Sequence, residues 1–387
     1  MNFDLSEEQQ MIVDSVAKFV ENDSPVERFR KLRESERGWD PEMWERMGEY
    51  GWLGVAFPEE QGGFGGSFVD MALILEQLGR GLVPEPYIAS VVLAGGLISK
   101  LGTPAQVERF LTPAVEGKSS LALAYAERQS RYNPNDCRTR AEKKGDRYTL
   151  RGEKVWVLNG HAADQIVVAA RSSGDSQDGE GLTLFILDGD APGLSRTLVK
   201  GMDGQRTGLL RLEGVEIEAD RVLGEEGAGL TALEWALDRG AAAACAEGQG
   251  GLQELLDRTI DYLKQREQFG VPIGSFQALQ HRAVDMFIEA ELCRSTMLLA
   301  AIKVESEDEE ERKAEISAAK VQLGQSGWFV QSNALQLFGG IGATDEQDEG
   351  LFFKRLCVLN ALFGDVDYHV DRFQTLGRFD AGLRASA

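Results

Sequence analysis

The sequence predicts an α+β protein of three consecutive domains. In residues 1–118 and 229–387, apolar side chains recur every three or four positions, which is the spacing of amphipathic helices. Residues 119–228 instead hold short apolar or alternating runs separated by Gly- and Asp-rich turns, which is typical of strands. We therefore expect an N-terminal α-helical domain, a middle β-barrel domain and a C-terminal bundle of about four helices.

The N-terminal domain contains clear helix signals. Ser6 precedes the first apolar positions, Met11, Ile12 and Val16, and is predicted to be an N-cap. After a Gly-rich break, the run from Met71 to Leu78 resumes as a helix that is too apolar to lie on the surface.

The middle domain is predicted from three runs. Residues 147–151 alternate polar and apolar side chains, as a half-buried strand does, whereas residues 166–170 and 182–187 are apolar throughout and indicate covered strands. Strands this short, joined by tight turns, favour a small barrel or sandwich over a parallel sheet.

The C-terminal domain is predicted to consist of long helices. One apolar stripe passes through Leu252, Leu256 and Leu263, and segments 278–304 and 312–338 repeat the same spacing. The small residues Ala241–Ala244 allow close approach by another helix or by a flat ligand.

The charge excludes one class of function. The chain carries 63 acidic and 41 basic side chains, a formal net charge of −22, so its field repels nucleic acid. The acidic run 305–311 is predicted to be a solvated loop or a helix end. There is no apolar run of the roughly 20 residues that a membrane span needs, and the first residues do not resemble a signal peptide. A cytoplasmic protein without a membrane partner is expected.

Motifs for other chemistries are missing. The four cysteines and three histidines are dispersed, so no metal site is predicted. The sequence has no GxSxG, no Walker loop and no GxGxxG between a strand and a helix. Residues 339–342 (GGIG) follow an apolar helix, where they could form a C-cap or a turn against a dinucleotide. Arg266, at the end of another helix, could bind a pyrophosphate or complement the helix dipole.

Seven phrases along the chain form a recognisable set: residues 51–54 (GWLG), 58–63 (PEEQGG), 140–142 (RAE), 152–160 (GEKVWVLNG), 266–270 (REQFG), 273–277 (IGSFQ) and 336–342 (QLFGGIG). Together, in this order, they resemble the acyl-CoA dehydrogenase family over essentially the whole chain.

The resemblance implies FAD as the cofactor and an acyl-CoA thioester as the substrate. A carboxylate takes the proton beside the thioester carbonyl, the flavin accepts a hydride from the next carbon, and an electron-transferring flavoprotein receives the electrons. It also implies that Trp156 covers the flavin ring. We expect six residues to contact the adenosine diphosphate half of an FAD that is held mainly by a partner subunit. They are Arg266, Phe269, Ile273, Gln277, Gln336 and Gly340.

Because the FAD would be shared between two chains, the resemblance implies a homodimer, a homotetramer or a heteromer with a paralogous subunit.

Two residues depart from the family pattern at the flavin. Ala126 stands where a threonine is usual, and Leu158 stands where a second threonine often contacts the flavin ring. The stretch 129–132 and the ending Phe363-Gly364-Asp365 are most similar to small, β-type subunits of heteromeric dehydrogenases, such as that of pimeloyl-CoA dehydrogenase. In such pairs the partner can supply the catalytic base, which leaves this chain as a non-catalytic subunit.

The catalytic base has several candidates. Many relatives carry a glutamate at the position of Gly364, and others at a position that aligns with Gly240. Asp365 is the first choice here and Glu247, on nearly the same helical face as Gly240, the second; Asp238 is a further carboxylate. Each could instead be structural: Asp365 as a helix cap, Glu247 as a buried carboxylate and Asp238 as a partner of Arg239. An oxidase of the same fold, which reduces oxygen directly, is the third functional alternative.

Overall fold

A computed structural model describes residues 5–376, which fold into two compact units. The terminal unit comprises residues 5–29, 68–83 and 241–376, and the central unit comprises residues 30–67 and 84–240. Among the described residues, no helix combines the length and the apolar character that crossing a membrane requires.

Twelve α-helices are present in the described residues. They are α1 Glu7–Asp23, α2 Val26–Leu32, α3 Pro41–Glu49, α4 Phe68–Arg80, α5 Gly96–Leu101, α6 Pro104–Gln106, α7 Thr112–Val115, α8 Gly229–Gln265, α9 Gln277–Lys303, α10 Glu309–Phe338, α11 Glu349–Ala361 and α12 Val366–Thr375. Two π-helical stretches, Ile88–Gly95 and Val107–Leu111, lead into α5 and α7.

The helix ends follow the capping signals of the sequence. Ser6 is the N-cap of α1, as predicted, and it also forms a capping box with Gln9. Helix α4 is buried along most of its length, as its apolar sequence indicated. Asp308 caps α10, and the acidic residues after it fill the first turn of that helix, where they complement the helix dipole.

The central unit is built around one mainly antiparallel sheet. Its order is β6-β7-β3-β2-β4-β5-β8, with β1 beside β4 in parallel. The strands are β1 Leu121–Ala124, β2 Arg140–Lys144, β3 Arg147–Leu158, β4 Gln165–Arg171, β5 Leu182–Asp188, β6 Leu194–Lys200, β7 Arg206–Glu218 and β8 Val222–Leu223.

The sheet curls over a single apolar core. Tyr148 on β3 and Phe185 on β5 meet edge to face with their ring centroids 5.0 Å apart. Those strands are three positions apart in the sheet, which in a flat sheet would separate them by about 14 Å. The curling agrees with the predicted middle domain of barrel type.

In the terminal unit, α4 and α8 touch backbone to backbone. A Cβ atom added at Gly79 would overlap the carbonyl oxygen of Glu247, and one added at Gly250 would overlap that of Glu76. Only glycine allows this approach, so the two glycines fix where α8 crosses α4. The part of α8 that belongs to the terminal unit is thereby also fixed, including Glu247 and the helix end that precedes Arg266.

A buried ion pair stabilises the loop between β1 and β2 in the central unit. Glu127 Oε1 accepts hydrogen bonds from Lys154 Nζ (2.7 Å), Thr139 Oγ1 (2.7 Å) and the Thr139 backbone N–H (3.0 Å). Burial alone would raise the pKa of Glu127, but the charge of Lys154 and these donors outweigh it and hold the pKa at about 2. The loop after Ala126 is therefore held by an ionised carboxylate.

We expect Gly250→Ala to destabilise the protein, because the added methyl group must displace the backbone of α4, which costs roughly 1–3 kcal/mol. Gly327→Ala in α10 is the matched control. Its new Cβ meets no described atom within 4 Å, so higher helix propensity should stabilise it by up to about 1 kcal/mol. Thermal unfolding of both variants tests this, and equal melting temperatures would contradict the proposed crossing.

We expect Lys154→Met to destabilise the protein by about 3–5 kcal/mol at neutral pH, because Glu127 would remain buried without its counter-charge. The loss should shrink as the pH falls from the ordinary Glu pKa of 4.5 towards 2, since the carboxyl group can then take a proton. Lys143→Met breaks the exposed Lys143–Glu226 pair and should cost far less than Lys154→Met, because water already solvates both charged groups. Urea unfolding at several pH values provides the measurement, and similar losses for both variants would contradict this assignment.

Candidate functional site

The first group of predicted residues lies on a hairpin that follows α8. Strands β9 (Glu267–Gln268) and β10 (Val271–Pro272) pair in antiparallel fashion, and Phe269 and Gly270 form the turn with φ values of +56° and +80°. The backbone N–H of Ile273 donates to the carbonyl of Arg266 at 2.8 Å, which closes the hairpin. Gln277 begins α9 directly afterwards.

The tip of this hairpin is unusually exposed. The Phe269 side chain is 93% exposed and touches Phe276 edge to face, with ring centroids 6.1 Å apart. A large apolar ring that is almost wholly exposed does nothing for the core of its own chain. It suits contact with a ligand or with another chain.

The second group lies on the turn that ends α10. Gly339 caps the helix with φ +67°, and Gln336 is exposed on the last helical turn. A Cβ atom added at Gly340 would meet no described atom within 4 Å, so the backbone there is open to an incoming group. Gly339 therefore forms the C-cap that the sequence allowed, whereas contact of a dinucleotide with the open backbone at Gly340 stays a prediction.

The structure brings the ends of α8 and α10 together. The rings of Tyr262 and Phe338 stack with centroids 4.3 Å apart and an interplanar angle of 18°. Arg266 follows the first ring by four residues, and Gln336 and Gly340 flank the second. The six residues expected at an adenosine diphosphate group thus belong to two adjoining exposed segments of the terminal unit.

The three residues expected at the flavin ring lie in the central unit. Trp156 sits at an irregularity of the β3–β7 ladder with φ +54°, and its indole is 62% exposed. Leu158 and Ala126 are half-buried, and the Ala126 carbonyl accepts a hydrogen bond from Val155 N at 2.9 Å. Ala126 therefore offers a backbone oxygen to β3 and has no hydroxyl group for a ligand.

Asp365, the first candidate for the base, caps α12. Its carboxylate accepts a hydrogen bond of 2.9 Å from the backbone N–H of Tyr368, and the side chain is half-buried. The structural role that the sequence allowed for Asp365 is therefore present in the fold.

Two buried polar side chains hold the turn before Asp365. Lys320 Nζ donates to the carbonyls of Leu359 (2.7 Å), Asn360 (3.0 Å) and Leu362 (2.8 Å), which form the end of α11. His369 contacts the carbonyl of Phe363 through Nε2 at 3.1 Å. Burial lowers the pKa of Lys320 to about 8, and burial with the nearby Lys320 charge lowers the pKa of His369 to about 3.

His369 is consequently neutral at pH 7, so the Nε2–H donates to Phe363 and Nδ1 accepts from the hydroxyl of Ser317 at 3.2 Å. This arrangement was not predicted from the sequence. A lysine in a long helix is normally solvated, and no periodic signal distinguishes Lys320 from the exposed lysines of the chain.

Gly364 has no room for a side chain. Its φ is +119°, and an added Cβ would overlap Tyr368 and the imidazole of His369. A carboxylate at this position would require the turn to rebuild. Any base supplied by this chain therefore comes from another residue.

Glu247, the second candidate, is buried against an arginine. Its Oε1 accepts a hydrogen bond of 2.6 Å from Arg355 Nε, and both side chains are only about a tenth exposed. Asp238 is buried in the first half of α8, and Gly240 follows two residues later. Glu247 thus has a clear structural partner on α11.

The exposed segments fit the FAD that the sequence analysis expects. The pyrophosphate carries negative charge, which the guanidinium of Arg266 can bind, and the open backbone at Gly340 and the exposed Phe269 ring can approach an adenosine. At the flavin ring the fit is partial, because the exposed Trp156 can cover a ring system but Ala126 brings no hydroxyl group.

Comparison with known proteins identifies the family of each domain of this chain. Models of the N-terminal, middle and C-terminal domains of acyl-CoA dehydrogenase match residues 6–118, 122–215 and 227–373. A probable acyl-CoA dehydrogenase of Bacillus subtilis, YngJ, is 32% identical over 352 residues, which are 89% of this chain and 91% of the relative.

Two solved structures extend the likeness to the fold. Butyryl-CoA dehydrogenase from Megasphaera elsdenii matches with a TM-score of 0.90 and 28% identity over 97% of this chain and 99% of that one. The ChsE4–ChsE5 complex of Mycobacterium tuberculosis matches with a TM-score of 0.87 and 27% identity over 98% and 99%. This chain belongs to the acyl-CoA dehydrogenase family, whose members are oxidoreductases with FAD as their cofactor.

Proposed function

We propose that the protein oxidises an acyl-CoA thioester to the 2,3-enoyl-CoA and passes the electrons to an electron-transferring flavoprotein. The observation that carries this proposal is the pair of exposed segments at the ends of α8 and α10, where Arg266, Phe269 and Gly340 expose a guanidinium, an aromatic ring and bare backbone. Neither segment contributes its exposed groups to the core of the chain, whereas a dinucleotide offers a phosphate, a base and polar oxygens that these groups can contact.

The chemistry needs a base on this chain or on a partner. Bound FAD supplies the hydride acceptor, and a carboxylate must remove the proton from the carbon beside the thioester carbonyl. We propose Asp365 for this step, with Glu247 as the second choice. Asp365 is half-buried and sits on a turn that Lys320 and His369 hold in place, whereas Glu247 is already paired with Arg355.

The remaining assignments are proposals of the same kind. We place the domain boundaries after residues 118 and 228 and the protein in the cytoplasm. The small residues Ala241–Ala244 are wholly buried, so helix packing accounts for them without a roomy acyl pocket.

Two observations favour a second candidate function, that of a subunit in a heteromeric dehydrogenase similar to the small subunit of pimeloyl-CoA dehydrogenase. Ala126 lacks the hydroxyl group, and Gly364 has no space for a carboxylate. The ChsE4–ChsE5 structure is likewise a complex of two named components. In this case the partner chain supplies the base, and this chain completes a shared FAD site.

Asp365→Asn separates the chemical role of this residue from its structural role, because asparagine caps helices as well as aspartate does. If Asp365 is the base, the rate of flavin reduction by acyl-CoA should fall by about 100- to 10,000-fold without a change in melting temperature. Asp308→Asn, at the cap of α10, is the matched control and should keep full activity. Unchanged reduction in Asp365→Asn would exclude this base and direct the same test to Glu247→Gln.

Mixing the purified protein with acyl-CoA under anaerobic conditions tests the activity of the chain alone. We expect bleaching of the flavin absorbance and slow oxygen consumption, with reoxidation by electron-transferring flavoprotein. A colourless or unresponsive protein that gains activity with a paralogous chain would support the heteromeric alternative. Rapid oxygen consumption without an added carrier would indicate an oxidase.

A further inference from the structure

A buried hydroxyl group in the central unit is left without a hydrogen bond. The hydroxyl oxygen of Thr207, on β7, is buried, and none of the residues that the structure describes offers it a donor or an acceptor. Buried polar groups are normally hydrogen-bonded, because water can no longer reach them and an unpaired group destabilises the fold. The residue as a whole is only half-buried. The packing of the chain itself therefore does not explain the hydroxyl of Thr207.

The register of the sheet places Thr207 beside an expected flavin contact. Thr207 lies directly opposite Leu158 in the antiparallel ladder of β3 and β7. Paired residues of such a ladder point to the same face of the sheet, with their Cβ atoms about 5 Å apart. Val157 belongs to the apolar core, and successive side chains of a strand alternate between faces, so Leu158 and Thr207 both point away from that core.

The other residues expected at the flavin ring bring no hydroxyl group. Leu158 has an apolar side chain, and Ala126 has only a methyl group. Trp156, two residues before Leu158, offers an exposed indole. The flavin ring system carries nitrogen and oxygen atoms, which lose hydrogen bonds to water when a protein covers them and need replacements. A hydroxyl group beside Leu158 can supply one.

The hydroxyl of Thr207 is free to turn towards a ligand on this face. A threonine side chain has three staggered positions about its Cα–Cβ bond, and no described residue holds this one in its present position through the hydroxyl. Rotation brings the oxygen from the buried part of the residue to the part that is open. A hydroxyl both donates and accepts, so it can contact either a ring nitrogen or a ring oxygen.

We infer that Thr207 is a flavin-contacting residue of this protein, and that its hydroxyl serves in place of a hydroxyl at position 158. The inference rests on FAD as the cofactor, and it depends neither on the acyl thioester that is oxidised nor on the carboxylate that acts as base. In the flavin-free chain the unpaired hydroxyl destabilises the fold, whereas in the flavin complex it contributes a hydrogen bond.

Thr207→Val tests the contact, because valine keeps the branched shape of the side chain and removes the hydroxyl. The dissociation constant of FAD, titrated by flavin fluorescence in the full-length protein, should rise about 3- to 10-fold, the usual effect of losing one hydrogen bond. Thr207→Ser retains a hydroxyl and should retain the affinity. Thr197→Val is the matched control, since Thr197 is an exposed threonine on the same face of the neighbouring strand β6.

The melting temperature of the flavin-free protein separates this contact from a structural role. Because valine removes a buried group that has no described partner, Thr207→Val should leave the melting temperature unchanged or raise it, while it weakens the binding of FAD. A lower melting temperature with an unchanged dissociation constant would show that the hydroxyl acts in the fold, and it would overturn the inference.

A double variant tests whether the two positions are equivalent. Leu158→Thr, added to Thr207→Val, should restore the affinity for FAD, because the new hydroxyl stands on the same face of the ladder. Failure of this rescue would overturn the inference, as would an unmodified protein that takes up no FAD. The proposed function fails separately: bound FAD that acyl-CoA does not reduce would contradict the function and leave the role of Thr207 intact.

Discussion

The backbone contact between α4 and α8 is the constraint on which the terminal unit depends. At Gly79 and Gly250 the two helices are so close that no side chain fits between them, so α8 cannot slide or rotate without breaking the contact. A helix of 37 residues held in this way carries its far end rigidly. That end leads directly into the hairpin of Arg266 and Phe269, and it stacks on the end of α10 through Tyr262 and Phe338. Helix packing thereby brings together two segments that are about 70 residues apart in the chain.

Buried charges determine the local geometry elsewhere. In the central unit, Glu127 and Lys154 are both removed from water and compensate each other, and the loop after Ala126 is arranged around their hydrogen bonds. In the terminal unit, the buried ammonium group of Lys320 donates to three carbonyls at the end of α11. A helix C-terminus carries partial negative charge, which explains why a buried cation is tolerated there. The turn that carries Asp365 takes its shape from this contact.

The chain combines a strongly negative net charge with two segments that carry almost no charge. A net charge of −22 keeps the molecules apart and opposes phosphate-bearing ligands, so a dinucleotide needs a place where the acidic field is interrupted. The exposed segments at the ends of α8 and α10 provide such a place, because only Arg266 and Glu267 are charged between Lys264 and His281, and residues 321–344 carry no charge. The same interruption makes this surface suitable for contact with another chain.

The sequence alone determined the kinds of elements, their order and the family. Helix and strand periods are local properties, so the helices around residues 278–304 and 312–338, the strands near 147 and 166 and the cap at Ser6 could be predicted directly. The tertiary structure decided what each polar residue does. Residues distant in the chain decide whether Glu127 is half of a buried pair and whether Glu247 has a counter-charge. Packing against α12 decides whether Gly364 leaves room for a carboxylate. Periodicity reports which side of an element is apolar, but only the packed fold shows which neighbour covers that side, and on α9 and α10 it shows a side that no described neighbour covers fully.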